Sequence, residues 1–352
     1  MLQFPPSKFP YIMAIWAAVA ACAPACAPVL GGFSVPVKGW RYVQWELLWL
    51  TGPTFILMVF TLPETSSATI LHHRARRLRK ATGNKNIKSK SEIDQEHLSI
   101  KSIAFGALIK PWEINLLDPA VLFTTIYTGI VYGLVYTFFE AFPLVYSTIY
   151  HFGLGEVSLA FLSILVAILL IVPFYMLYYR LIIEQKVIKD LKDGKGSIEK
   201  FLTAGVWGSW ALPAGLFIFG KFEVWLHLTF NVLTLTSVDR VAWTSRESIH
   251  WIVGLIGVVI ANFGIYITMQ CMFLYVSLCY TQYAASLLAA NALSRSLFAT
   301  AAILYAPPML EAMGVGGGVS LLAGLLLLCW GGMIFLFFFG AKLRAKSKFA
   351  MK

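Results

Sequence analysis

Eight apolar stretches recur along the chain, each near the roughly 20 residues that cross a bilayer as a helix. They run Tyr11–Phe33, about Trp45–Leu62, Val121–Tyr146, Val157–Tyr179, Phe201–Gly220, about Trp251–Tyr275, Tyr283–Tyr305 and Val315–Gly340, numbered here as spans 1 to 8. A helix satisfies its backbone hydrogen bonds within itself, which is the condition for backbone in lipid. The pattern therefore predicts an all-α polytopic membrane protein. The longest polar interruption, Pro63–Lys110, is basic: from Arg74 to Lys110 there are ten Lys or Arg against three acids, Glu92, Asp94 and Glu96. Lys and Arg resist translocation, so this segment is expected on the cytoplasmic face. Alternation then puts Arg180–Lys200 and Ala341–Lys352 inside as well. The Lys and Arg divide 22 inside to 5 outside, with Arg295 within span 7, and both termini are expected to be cytoplasmic. Lys38-Gly39-Trp40-Arg41-Tyr42 is expected as a short outer turn, and Lys85–Gln95 as a mobile part of the inner loop.

Composition agrees with the pattern. The 352 residues are 59% hydrophobic and 13% charged, where soluble domains carry about a quarter charged. The net charge of +11 lies in loops and tail, which points to contact with anionic membrane lipid and away from nucleic acid. Five cysteines, Cys22, Cys26, Cys271, Cys279 and Cys329, sit in apolar runs without disulfide or zinc spacing. No metal or other cofactor is expected. Span 1, at 23 residues, is too long for the apolar core of a signal peptide. No paired catalytic groups appear on either rim, and His72-His73 stands in a basic loop without nearby Cys or carboxylates, so the chain is not expected to be an enzyme.

Polar residues within the spans are the candidate chemistry. Tyr132, Tyr136 and Glu140 recur every four residues and share a face of span 3, beside Phe139 and Pro143. An ionisable group inside a span is a functional candidate by default, although Glu140 also falls where an outer-interface anchor would sit. Asn262, Tyr266 and Gln270 form one polar face of span 6, suited either to a cavity or to hydrogen bonds between helices. Arg295 lies 12 residues into span 7, one turn after Asn291, and needs a partner or a path to water. In span 1, Ala23, Ala27 and Gly31 repeat every four residues, a spacing that permits close helix approach, and Pro24 and Pro28 interrupt the backbone ladder.

Several of these stretches together resemble a known family. In span 1, Ala14, then Ala23, then Ala27-Pro28-Val29-Leu30-Gly31-Gly32 follow the spacing of the antiporter motif of the major facilitator superfamily, with alanine for glycine at 14, 23 and 27. Leu62-Pro63-Glu64-Thr65 with Ala75–Asn84 resembles the central loop of the fungal drug:proton antiporters in that superfamily. Tyr136–Tyr146, Trp243–Trp251 and Tyr283–Asn291 are similar to segments further along those proteins. The resemblance implies two six-helix halves around a midplane cavity that rock between inward and outward states. It implies that the chain carries the last eight of twelve helices, lacks the first four, and would not transport alone. Residues 1–62 would then be two spans of the N-terminal bundle, 63–119 the basic central loop, 120–340 the six-helix C-terminal bundle and 341–352 a basic tail.

The cavity of such a protein would draw on Tyr132, Tyr136, Phe139, Glu140, Asn262, Tyr266, Gln270, Asn291 and Arg295, with Ala23, Ala27, Pro28, Gly31 and Gly32 marking the antiporter-motif helix. The implied activity is proton-coupled export of drugs, toxins or polyamine-like molecules, amphipathic or cationic, from the plasma membrane. The alternative is a non-transporting remnant or scaffold. The match breaks at Lys221–Ala242, a 22-residue insert whose flanks and length fit a retained intron of about 66 nucleotides.

Overall fold

The computed structural model describes residues 8–84, 86–96, 105, 109–148, 150–186, 189, 198–219, 250–281 and 283–347. The insert at 221–242 and the resumed match from 243 to 249 lie outside them. Every regular element among the described residues is helical. In chain order they are α1 (Phe9–Lys38), α2 (Trp40–Thr61), α3 (Ser67–Thr82), α4 (Lys90–Glu96), α5 (Lys110–Leu117) and α6 (Pro119–Thr148). There follow α7 (Leu154–Lys186), α8 (Glu199–Phe219), α9 (Ile252–Cys279) and α10 (Ala284–Lys346). Seven of these are long and apolar enough to cross a membrane. The seventh, α10, runs 63 residues with a break at Gly314, so it holds the two spans 7 and 8. A helix covers each of the eight predicted spans among the described residues, with ends that differ from the predicted ones by a few residues. The fold is an all-α polytopic membrane protein.

The helices group into two compact units, Met1–Val37 with Trp112–Lys352, and Lys38–Pro111. In the first unit a layer of rings fills the centre. Phe142 stands 4.7 Å from Phe161 and 6.3 Å from Phe219, and Phe138 lies edge-on to Phe219 at 5.5 Å, tying α6 to α7 and α8. Aromatic pairs at these separations add specific geometry to plain area burial. Helices α8 and α9 approach through glycine. A Cβ on Gly264 would lie 2.3 Å from the Leu212 backbone nitrogen, and one on Gly215 would lie 2.3 Å from that of Ala261. Small residues at such contacts let backbones pack where lipid supplies no hydrophobic drive between helices.

Helix α1 packs within this same unit. Its contact stripe is Ala14, Ala18, Ala21, Cys22, Ala25 and Gly32, and a Cβ on Gly32 would meet the Ser158 hydroxyl of α7 at 2.3 Å. The motif alanines Ala23 and Ala27 are exposed on a neighbouring stripe, and Gly31 has no atom within 4 Å of where its Cβ would be. Gly32 is thus the motif residue that makes the close approach.

The second unit holds α2 and the inner loop. No residue of α2 is buried. Helix α3 starts at Ser66, whose hydroxyl accepts the Thr69 N–H, and stops at Gly83 in the left-handed conformation. Within the stretch expected to be mobile, Lys90–Glu96 forms α4, and Glu92 accepts from Arg79 at 2.8 Å and from the Ser89 N–H at 2.7 Å. Those bonds, the Ser89 amide first and the Arg79 guanidinium next, hold the Glu92 carboxyl down at about 2.

Candidate functional site

The structure brings five of the nine cavity candidates into one file between α6, α9 and α10. It begins with hydroxyls on α6. Thr128 donates to the Thr124 carbonyl at 2.7 Å and accepts from Asn291 Nδ2 at 2.8 Å. Asn291 Oδ1 in turn accepts from Arg295 Nε at 3.1 Å. The Arg295 guanidinium carbon lies 4.9 Å from the centroid of Tyr132 and 5.0 Å from that of Phe273 on α9. Both distances are within cation–π range. From Tyr132 the rings continue along α6: Tyr136 at 5.3 Å, then Phe139 at 5.5 Å from Tyr136, then Phe161 of α7 stacked on Phe139 at 5.4 Å. Sequence periodicity gives this order directly, because residues four apart on a helix lie over one another.

A charge at this depth is expensive. Insertion scales put an Arg at the centre of a membrane helix about 2.5–3.5 kcal/mol uphill. Two rings and one amide oxygen offset part of that. Among the described residues no acid is paired with Arg295. Glu140 sits two turns beyond Tyr132, partly exposed, with no hydrogen bond or ion pair among the described residues.

The other polar face, that of α9, is used differently. The Tyr266 hydroxyl donates to the Ala14 carbonyl at 2.8 Å, and Gln270 Nε2 donates to the Pro10 carbonyl at 3.1 Å. Both acceptors are in the first two turns of α1. Asn262 donates to the Val258 carbonyl of its own helix at 2.9 Å. Tyr266 and Gln270 therefore join helices, the second of the two roles the sequence left open. Their partners are carbonyls of α1 next to Ala14 and next to a prolyl ring, and no side-chain pattern marks a carbonyl as an acceptor.

One end of the first unit carries charged contacts that sequence reasoning passed over. Asp118 is 3% exposed and caps α6. Its Oδ1 accepts the Ala120 N–H at 3.0 Å, and its Oδ2 accepts the hydroxyls of Tyr280 and Ser347, each at 2.5 Å. Arg344 pairs with Glu199 at 3.1 Å, and Lys8 with Glu184 at 2.9 Å, where the Tyr11 hydroxyl also donates at 2.7 Å. The Asp118-Pro119 pair was a readable signal: an N-cap followed by proline at the first helical position.

Two open cavities lie elsewhere. One of about 300 Å³ is apolar and lined by Tyr175, Tyr178, Ala204, Trp207, Phe263 and Ile267 of α7, α8 and α9. The other, of about 610 Å³, borders the basic face of α3 with His73, Arg76, Arg77 and Lys80. Neither contains a cavity candidate.

Comparison with known proteins gives consistent kinship over almost the whole chain. The chain is 41% identical over 345 residues to "MFS-type transporter pyvG" of Aspergillus violaceofuscus, covering 98% of this chain and 59% of that protein. It is 35% identical to "Multidrug transporter FLR2" of Candida glabrata, over 98% of this chain and 55% of the relative. It is 32% identical to "Fluconazole resistance protein 1" of Saccharomyces cerevisiae, over 98% and 59%. The chain thus spans less than two thirds of the length of these relatives. They are named as transporters or a resistance protein, not as enzymes, as the sequence led one to expect. No family model matches, and no solved structure matches.

Proposed function

We infer that the chain is a major facilitator protein, and from that premise we propose that it serves proton-coupled export of small amphipathic organic molecules across the plasma membrane. One observation carries the reading: the match to fungal transporters runs through 98% of the chain, so it takes in the loop and all the spans together. The names of two relatives, a multidrug transporter and a fluconazole resistance protein, favour export of foreign or toxic compounds. The site supports a broad substrate range. Rings from Tyr132 to Phe139 offer a surface for apolar and aromatic bodies, and rings stack with little demand on exact shape. In this reading residues 120–340 are the C-terminal six-helix half, α1 and α2 belong to the other half, and both termini are cytoplasmic. Glu140 is the carboxyl proposed to take up and release the proton, since nothing else holds its charge.

The test uses the gene as it stands in its own genome. Disrupting it should raise cellular accumulation of a panel of amphipathic dyes and azoles by about threefold or more. A protonophore should erase the difference between disrupted and intact cells. Unchanged accumulation across the panel, with the protein present in intact cells, would refute export.

A further inference from the structure

Arg295 is a charge within a span whose hydrogen-bonding capacity is only partly used among the described residues. It lies roughly 17 Å along α10 from Ala284, where its side chain is only partly exposed. A guanidinium stays protonated at any working pH and has five N–H donors in a fixed planar fork. The Nε donor is taken by Asn291, and among the described residues the donors on Nη1 and Nη2 make no hydrogen bond. Tyr132 and Phe273 present ring faces, which attract a cation without cancelling its charge. Asn291 and Thr128 are neutral, and their hydrogen bonds are already committed to one another. The fork is thus held in place by three neighbours, and its outer pair of donors is left over. Two parallel N–H groups on a rigid plane match the two oxygens of a carboxylate.

We propose that Arg295, clamped by Tyr132 and Phe273, is the head-group subsite for a substrate carrying a carboxylate, with the row Tyr132, Tyr136 and Phe139 receiving its planar apolar body. This rests on the transporter reading above and narrows its substrate class to weak aromatic acids. The fixed cation repels an ammonium head group, so of the two classes the sequence suggested, the purely cationic one is disfavoured at this position. Glu140, eight residues from Tyr132, is about 12 Å further along α6 and caps the opposite end of the ring row. An acid bound at Arg295 therefore leaves Glu140 free to exchange its proton.

The test compares three ligands with one body: 2-naphthoate, 2-naphthylmethylammonium and 2-naphthalenemethanol. Each is titrated against the purified full chain in lipid nanodiscs, with binding read by quenching of tryptophan fluorescence. The acid should bind about tenfold tighter than the ammonium, with the neutral alcohol between them. Arg295→Gln should erase the preference of acid over alcohol, and Arg295→Lys should keep part of it, because a point charge remains while the fork is lost. Unchanged thermal unfolding of both variants in detergent serves as the check that they are folded. The inference is overturned if the unmodified protein binds ammonium as well as acid, if it does not bind the acid, or if Arg295→Gln leaves the acid's affinity unchanged. Loss of the inference leaves the export reading intact as long as gene disruption still raises dye accumulation; if disruption changes nothing, the export reading itself fails.

Discussion

Single side chains in this protein do three different jobs that look alike in sequence. Arg295, Gln270 and Asp118 are each a polar group in or beside an apolar run. Gln270 is fully buried and holds α1 through a carbonyl, a contact of the kind that averages about 0.6 kcal/mol in membrane proteins. Asp118 is also buried, but it gathers three donors from α6, from the residue after α9 and from the residue after α10. Losing a cap costs about 1 kcal/mol and losing a hydrogen bond to a charged group about 1.5–3 kcal/mol. Asp118→Ala should therefore destabilise the folded bundle by roughly 4 kcal/mol, and Tyr280→Phe by about 2 kcal/mol, because it removes one donor and leaves the cap and the Ser347 bond in place. Thermal unfolding in detergent reads both. Equal losses from the two variants would show that neither the cap nor the Ser347 bond contributes. Of the three, Arg295 is the one that carries a fixed charge with two unused donor nitrogens and is partly exposed, which is why it is assigned to ligand.

At the scale of elements, hydropathy located every span, yet it misjudged how they are joined. Spans 7 and 8 were drawn with a gap between Tyr305 and Val315, and the residues in it, Ala306–Gly314, hold two prolines and one charged residue, Glu311. Helix α10 instead continues through Pro307 and Pro308, and one residue, Gly314, makes the entire break at φ 71° and ψ 162°. The same conformation recurs at Gly39, φ 77° and ψ 166°, where α1 ends and α2 begins, and where a five-residue turn was expected. This region of backbone space is open to glycine almost alone. A window of hydropathy cannot see it, because a glycine in such a place and a glycine at a helix contact score alike. Gly314 has no atom within 4 Å of where a Cβ would be, so any penalty there comes from the backbone and not from crowding. Gly314→Ala should cost about 1–3 kcal/mol, seen as a lower melting temperature in detergent, and Gly331→Ala, which also has open space but lies in ordinary helix, should cost nothing or stabilise slightly. If the two behave alike, the break does not depend on glycine. The candidate site was legible in the same uneven way. Its α6 face follows from four-residue spacing, whereas Phe273, an ordinary apolar residue of α9, enters the site only because α9 packs beside α10.

For the whole molecule two arguments bear on topology, one on the direction through the membrane and one on the number of spans. The first is the distribution of Lys and Arg, 22 to 5, on which the Pro63–Lys110 side is proposed to be cytoplasmic. The second is geometric and makes no use of charge counts. Alternation assigns residues 8, 118, 184, 199, 280, 344 and 347 to one face, and the structure joins them there in three clusters: Lys8 and Tyr11 with Glu184, Arg344 with Glu199, and Tyr280 and Ser347 with Asp118. An error in the number of spans would have thrown some of these to the opposite end. Helix α7 measures the separation, since its 33 residues extend about 50 Å, more than a bilayer's hydrocarbon core. Single cysteines placed at its two ends in a cysteine-free background should therefore behave oppositely. Leu154→Cys should react with an impermeant maleimide in intact cells. Gln185→Cys should react only after permeabilisation, and Lys88→Cys in the basic loop should follow Gln185→Cys. Labelling of Gln185→Cys in intact cells would invert the molecule. It would also move Glu140 from the outer to the inner end of its helix, where the proton would enter from the cytoplasm, and export coupled to proton entry would no longer fit the site.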